Sequence, residues 1–192
     1  MSAVIERVST RGQTRETWAA TLMVVVGCVV LVARPFADMA TGTRTALFAA
    51  SYLTIGLASL AVPLERERPH LPTSLALLWG LGAVAVAANV SSSPVPLPWS
   101  AAALPLSLLA AVAEEALFRR VGYGRLERFG AAVAIAGSAV LFGLVHVPAY
   151  GITALPVDVG AGLLFGWQRW ASGTWTVPAT THAFANALVV LR

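Results

Sequence analysis

The chain has 192 residues, of which 57% are apolar and only 11% charged. A soluble domain usually carries about 25% charged residues, so this chain has too little polar surface to cover a globule in water. Lipid is therefore expected to cover much of it. The net charge of +4 does not indicate nucleic-acid binding, because all the basic residues are arginines in short segments between apolar runs. That distribution is typical of membrane proteins.

Seven apolar runs follow one another along the chain. A membrane-spanning helix needs about 20 predominantly apolar residues, and most of the runs approach that length. The first one resembles a signal peptide but lacks a small-x-small cleavage site, so we expect an uncleaved helix. The pattern predicts an all-α, polytopic transmembrane bundle of about seven helices. The runs are 18–33, 46–63, 72–90, 99–118, 130–147, 156–168 and 174–191.

The arginines predict the orientation of this bundle. With the N-terminus inside, ten arginines fall in inside segments, and three (Arg34, Arg44 and Arg192) fall in outside segments. Because cytoplasmic loops carry an excess of basic residues, we place the N-terminus in the cytoplasm and the protein in the cell membrane. We divide the chain into a cytoplasmic segment (1–17), three accessory transmembrane helices (18–98) and a catalytic core of four transmembrane helices (99–192).

The residues inside the apolar runs of the last four helices include Glu114, Glu115, His146, His182 and Asn186. A charged side chain at the centre of a membrane helix costs about 2.5–3.5 kcal/mol on insertion scales. Such residues face the interior of the bundle, where they pair with each other or contact water. We therefore treat these five as candidate functional residues.

Their spacing predicts that they meet. Glu115 and Arg119 are four residues apart, on one face of a helix, and can pair. Glu114 points about 100° away from that face. It is therefore expected not to pair with Arg119 and to remain available for another function. Glu114 and His146 are each 16 residues from Gly130, which suits a turn at the end of a helix. An antiparallel hairpin that turns there places the two side chains at the same height.

Such a cluster has the groups needed to hydrolyse a peptide bond. Hydrolysis requires a base to activate water and donors to hold the oxyanion that develops. A carboxylate can be the base, and histidine and asparagine side chains can donate to the oxyanion.

At these residues the sequence resembles the CPBP (formerly Abi) family of intramembrane proteases, which includes the type II CAAX prenyl endopeptidases. The resemblance rests on three motifs in order, EExxxR, FxxxH and HxxxN, which read here 114–119, 142–146 and 182–186. It covers about 105–190. It implies that Glu114 with His146 activates the attacking water, and that His182 and Asn186 stabilise the oxyanion. It also implies that Glu115 and Arg119 hold the site together.

Two types of hydrolase remain open. The chain has no HExxH motif, which is the usual zinc-peptidase spacing. However, Glu114, His146 and His182 could still form a three-ligand site for a divalent metal such as zinc. The sequence therefore leaves both a metalloprotease and a glutamate-dependent protease possible.

The function predicted first is an intramembrane endopeptidase that cuts a membrane-associated or lipid-anchored protein or peptide. One alternative is a non-catalytic membrane partner of the bacteriocin-immunity or scaffold type. Another is a proton-coupled transporter, because buried Glu and His residues also serve proton relays. Transporters usually show repeats or paired broken helices, and the sequence shows neither.

Overall fold

A computed structural model of the chain describes residues 2–36, 41–63, 68–90 and 101–191. This part of the chain is an all-α bundle of seven helices without strands, which confirms the predicted fold class. The helices are α1 Ser2–Ala33, α2 Thr41–Ala61, α3 Thr73–Val90, α4 103–126, α5 Ala131–Tyr150, α6 Leu155–Ser172 and α7 Thr176–Val190.

Three of the described helices are long and apolar enough to cross a membrane: 18–36, 42–61 and 131–150. The segment 73–89 is apolar but shorter. Helix α1 begins at Ser2 rather than at Trp18, so the predicted N-terminal segment 2–17 is helical and continuous with the first span. The predicted boundary between accessory helices and core, at 98–99, lies outside the described residues.

Helix α4 changes type at the candidate site. It is α-helical over Ala103–Glu115, becomes a π-helix over Ala116–Gly122 and returns to α-helix at Tyr123–Leu126. π-helical turns are frequent at functional sites. This wider turn contains Arg119, whose side chain is completely buried.

Helices α5 and α6 pack closely because small residues line their contact. A Cβ atom placed on Gly162 would lie 2.8 Å from Cα of Ala139, and one on Gly166 would lie 3.2 Å from Cα of Ile135. Glycines at such spacing allow two membrane helices to approach. The chain turns before α5 at Gly130, as predicted, and after α6 at Gly173, both with positive φ.

Helix α3 is attached to the last two helices by a buried polar group. The side-chain amide of Gln168 on α6 donates to the carbonyl oxygen of Ala76 at 3.0 Å and to the hydroxyl of Thr181 at 2.9 Å. Gln168 and Thr181 are both fully buried. These bonds connect an accessory helix to the helices that carry the candidate site.

Candidate active site

Glu114 and His146 face each other across α4 and α5. Oε2 of Glu114 lies 3.6 Å from Nε2 of His146, and both residues are buried, at 3% and 7% exposure. The equal spacing of the two residues from Gly130 explains this placement, because the hairpin turns at that residue. Glu114 is not free, however. Its Oε1 lies 3.5 Å from Nη1 of Arg34 at the end of α1.

The hydrogen bonding of His146 determines which ring nitrogen faces Glu114. Its Nδ1 lies 2.7 Å from the carbonyl oxygen of Phe142. A carbonyl only accepts, so Nδ1 carries the proton and donates. A neutral His146 then presents the lone pair of Nε2 to a carboxylate oxygen, which also only accepts. A proton on Nε2 or a water that donates to both atoms would satisfy this pair, and a separation above 3.5 Å leaves room to consider such a water.

Glu115 joins three helices. Its Oε1 accepts hydrogen bonds at 3.0 Å from Nη1 of Arg119 and at 3.0 Å from Nδ1 of His182 on α7. Arg119 also donates from Nη2 to the carbonyl oxygen of Gly162 on α6, at 3.1 Å. Glu115 and Arg119 have no exposed surface. The pair therefore fixes α4 against α6 and α7 directly beside Glu114.

Aromatic rings surround these polar groups. The Phe142 ring contacts both imidazoles, with centroid distances of 4.5 Å to His146 and 5.6 Å to His182. Phe165 stacks on His182 at 5.0 Å. The Arg119 guanidinium lies 4.6 Å from the centre of the Phe142 ring, within the range of a cation–π contact. Phe142 therefore packs against the histidine one turn away.

The structure does not place Asn186 against the other polar residues. Its Nδ2 donates to the carbonyl oxygen of Ser107 on α4 at 3.0 Å. Ser107 lies seven residues, or two helical turns, before Glu114. Asn186 therefore contacts the same helix as Glu114 but at a different height, and one of its two N–H groups is used by the backbone.

Three further polar residues lie near the site. Asp158 is in the first turn of α6, which starts at Leu155 without a side-chain cap bond, and its Oδ2 is buried without a hydrogen-bond partner among the described residues. Nη1 of Arg120 donates to the carbonyl oxygens of Ser59 and Val62. Arg169 is buried on α6, and its Nε donates to the carbonyl oxygen of Arg119 at 3.1 Å.

The three residues named as metal ligands do not converge. Among the described residues, no group of three or more His, Cys, Asp or Glu side chains is arranged to hold a metal ion. Glu114 pairs with His146, whereas His182 uses Nδ1 to bond Glu115 and stacks on Phe165. In this conformation the donor set of Glu114, His146 and His182 does not fit a tetrahedral zinc site.

Sequence reasoning missed two residues at the site, Arg34 and Tyr52. Nη1 of Arg34 also donates to the hydroxyl of Tyr52 on α2, and Tyr52 is 4% exposed. Arg34 follows an apolar run and was counted as a topology signal. Its position 80 residues before Glu114 carries no local pattern that links the two.

A comparison with protein families identifies the part of the chain that carries this site. Residues 96–188 match the model of the family described as type II CAAX prenyl endopeptidase Rce1-like. No curated protein and no solved structure matches the chain. The matched segment contains Glu114, His146 and His182, and the resemblance inferred from the three motifs is confirmed. Over residues 96–188, which are just under half of its length, the chain is therefore similar to the Rce1-like family of type II CAAX prenyl endopeptidases.

Proposed function

We propose that this protein is a membrane-embedded endopeptidase of the CAAX prenyl type, in which Glu114 activates the attacking water. Its substrate is a membrane-associated protein or peptide. The observation that carries the proposal is the buried pair of Glu114 and His146, 3.6 Å apart on two helices, inside the segment that matches the family. A carboxylate and an imidazole at this separation can accept hydrogen bonds from one water between them, and the carboxylate can then take a proton from it.

The roles of the neighbouring residues follow from their bonds. Glu115 and Arg119 position the site, because together they connect α4 to α6 and α7. His182 would donate to the oxyanion from Nε2, as an imidazolium whose counter-charge is Glu115. Asn186 would donate from the N–H that Ser107 does not use. Donors fixed in a buried, low-dielectric site stabilise a developing oxyanion more strongly than donors in water.

The reaction can be written from these residues. Glu114 takes a proton from the water, and the water oxygen attacks the carbonyl carbon of the peptide bond. This attack forms a tetrahedral oxyanion. The proton then passes to the leaving nitrogen, and the C–N bond breaks. Glu114 returns to its charged form, and the products are a new carboxylic acid and a new amine, which then ionise to a carboxylate and an ammonium. His146 keeps the water oriented during its attack.

The proposal is tested by a cleavage assay with purified protein in detergent, on peptides with and without a prenyl group. We expect Glu114→Gln and His146→Ala each to lower the rate by about 10²–10⁴-fold, as loss of a general base does. Glu127→Gln, which changes an acid in the short turn after α4, is the control and should keep the rate. Full activity in Glu114→Gln would contradict the proposal and favour a non-catalytic membrane partner.

A chelator separates the two types of hydrolase. Hydrolysis that is unchanged by chelation supports the glutamate-dependent mechanism proposed here. Hydrolysis that is lost on chelation and restored by zinc would instead support a metal held by Glu114, His146 and His182, after a rearrangement that brings the three together.

A further inference from the structure

An apolar cleft between α1 and α2 is lined by the arginine that contacts Glu114, the carboxylate that we propose as the base. The cleft has a volume of about 400 Å³, and its walls include Leu31, Phe36 and Phe48. Among the described residues that line it, Arg34 is the only charged one. The same guanidinium contacts Oε1 of Glu114. Arg34 is therefore the point at which this cleft meets the candidate active site.

The contact between Arg34 and Glu114 is loose. Its 3.5 Å length exceeds the 2.7–2.9 Å of a good charge-assisted hydrogen bond. Glu114 also faces His146 at 3.6 Å, so neither of its oxygens has a close partner in these two contacts. By comparison, the adjacent Glu115 accepts two bonds of 3.0 Å. A pair held this weakly can be exchanged for a better one.

A single cation in the wall of an apolar cleft fits a ligand that is mostly apolar and carries one anionic group. A guanidinium matches the planar geometry of a carboxylate, to which it donates two parallel hydrogen bonds. Ser51 and Tyr52 also line the cleft, and the hydroxyl of Tyr52 accepts a hydrogen bond from Arg34. The ligand reaches Arg34 beside the peptide bond that Glu114 attacks, so the substrate itself can supply the anion.

We propose that Arg34 binds the C-terminal carboxylate of the peptide substrate, whose last apolar side chains occupy the cleft between α1 and α2. Arg34 pairs with Glu114 when the cleft is empty and with the substrate carboxylate when it is filled, which frees Glu114 to engage water. This inference rests on the proposed endopeptidase function. It assigns substrate selection to Arg34 and Tyr52, which both lie outside the segment 96–188 that matches the family.

The experiment uses one apolar peptide in two forms, with a free C-terminal carboxylate and with a C-terminal amide. Binding to the full chain in detergent is measured by the change in intrinsic tryptophan fluorescence, and cleavage is measured separately. Wild type should bind the carboxylate form roughly 10–100-fold more tightly, as expected for loss of a charge-assisted pair. Arg34→Gln should bind both forms equally. Arg34→Lys should recover only part of the preference, because a lysine does not donate two parallel bonds.

The ratio between the two peptides is the decisive quantity, because a variant that folds poorly loses affinity for both forms alike. Arg44→Gln, which removes an exposed arginine at the start of α2, is the matched control and should keep the wild-type ratio. A preference that survives in Arg34→Gln overturns the inference. The inference is also overturned if anionic phospholipid vesicles abolish the preference without displacing either peptide. That result would assign Arg34 to lipid headgroups.

The two proposals fail in different ways. If wild type cleaves both peptides at the same rate and binds them equally, the endopeptidase stands and the role of Arg34 is wrong. If wild type prefers the carboxylate form in binding but cleaves neither peptide, carboxylate recognition by Arg34 stands and the catalytic role of Glu114 is wrong.

Discussion

Nδ1 of His182 lies 3.0 Å from Oε1 of Glu115, which joins α7 to α4 in the interior of the bundle. The same carboxylate oxygen accepts the bond from Arg119. Glu114, one residue earlier, points to the other side and meets Arg34 and His146 instead. The two adjacent glutamates are thus divided between a structural contact and the groups that face the candidate water site.

This division predicts different effects of removing each acid. Glu115→Leu leaves the completely buried Arg119 cation without its carboxylate, and breaking a buried ion pair in this way costs about 3–5 kcal/mol. Glu114→Leu should cost clearly less, because its contacts are long and Arg34 keeps the hydroxyl of Tyr52. Unfolding of the purified protein by denaturant in mixed micelles measures both values.

A second substitution tests the reason for that difference. Adding Arg119→Leu to Glu115→Leu removes the unpaired cation, so the double variant should be more stable than Glu115→Leu alone. If the double variant is instead less stable by the sum of the two single losses, the ion pair is not what holds α4 here. Equal losses for Glu114→Leu and Glu115→Leu would also contradict the assignment.

Gly162 has two functions in the packing of α6. It allows α5 to approach, and its carbonyl oxygen accepts the bond from Arg119. In Gly162→Ala the new methyl group would lie 2.8 Å from the backbone of Ala139, and overpacking of this kind costs about 1–3 kcal/mol. Because the shift also moves the carbonyl that holds Arg119, the cleavage rate should fall more than stability alone explains.

Gly160, on the same helix, provides the control for Gly162. A Cβ atom there meets nothing within 4 Å, so Gly160→Ala should be neutral or should gain up to about 1 kcal/mol from helix propensity. Thermal unfolding of both variants in detergent makes the comparison. A similar loss of stability in both variants would show that the loss in Gly162→Ala does not come from the contact with Ala139.

The sequence predicted the central part of the site from local spacing. A pair four residues apart gives the bond between Glu115 and Arg119, and equal distances from Gly130 place Glu114 level with His146. Both predictions use the rise and turn of a helix, which depend little on the rest of the protein. The family resemblance drawn from the three motifs follows from the same local pattern.

Contacts between helices that are distant in the chain could not be predicted in this way. The approach of Arg34 to Glu114 depends on how α1 packs beside α4, and the bond of Asn186 to Ser107 depends on how α7 is rotated. The π-helical turn that contains Arg119 also leaves no simple sequence pattern. Each of these is set by side-chain packing over the whole bundle, which periodicity does not determine.

Gly80 allows α3 to reach the buried amide of Gln168. A Cβ atom on Gly80 would lie 2.0 Å from Nε2 of Gln168 and 2.8 Å from the hydroxyl of Thr181. In Gly80→Ala the amide has to move away from its acceptors, and a buried donor left unsatisfied costs about 1–3 kcal/mol. Gly82→Ala, where the new methyl group meets nothing within 4 Å, is the matched control in the same unfolding measurement.

Gly80→Ala also tests whether its loss of stability arises through Gln168. In Gln168→Leu the amide is already gone, so the further loss on adding Gly80→Ala should differ from the loss in wild type, as expected for residues in contact. Strictly additive losses would mean that Gly80 acts through the helix itself.

The side chain of Arg120 caps the C-terminal end of α2. Its Nη1 donates to the carbonyl oxygens of Ser59, at 2.7 Å, and Val62, at 2.6 Å, which belong to the last turn of α2 and the residue just after it. The last carbonyls of a helix have no partner within the helix, so Arg120→Gln should weaken this end by roughly 1–2 kcal/mol. Hydrogen exchange should then rise in the last turn of α2.

Arg128→Gln removes the same charge from an exposed residue of the short turn after α4, so both variants change the positive-inside balance equally. If α2 exchanges faster in both variants, the effect belongs to charge and insertion rather than to the bonds that Arg120 donates.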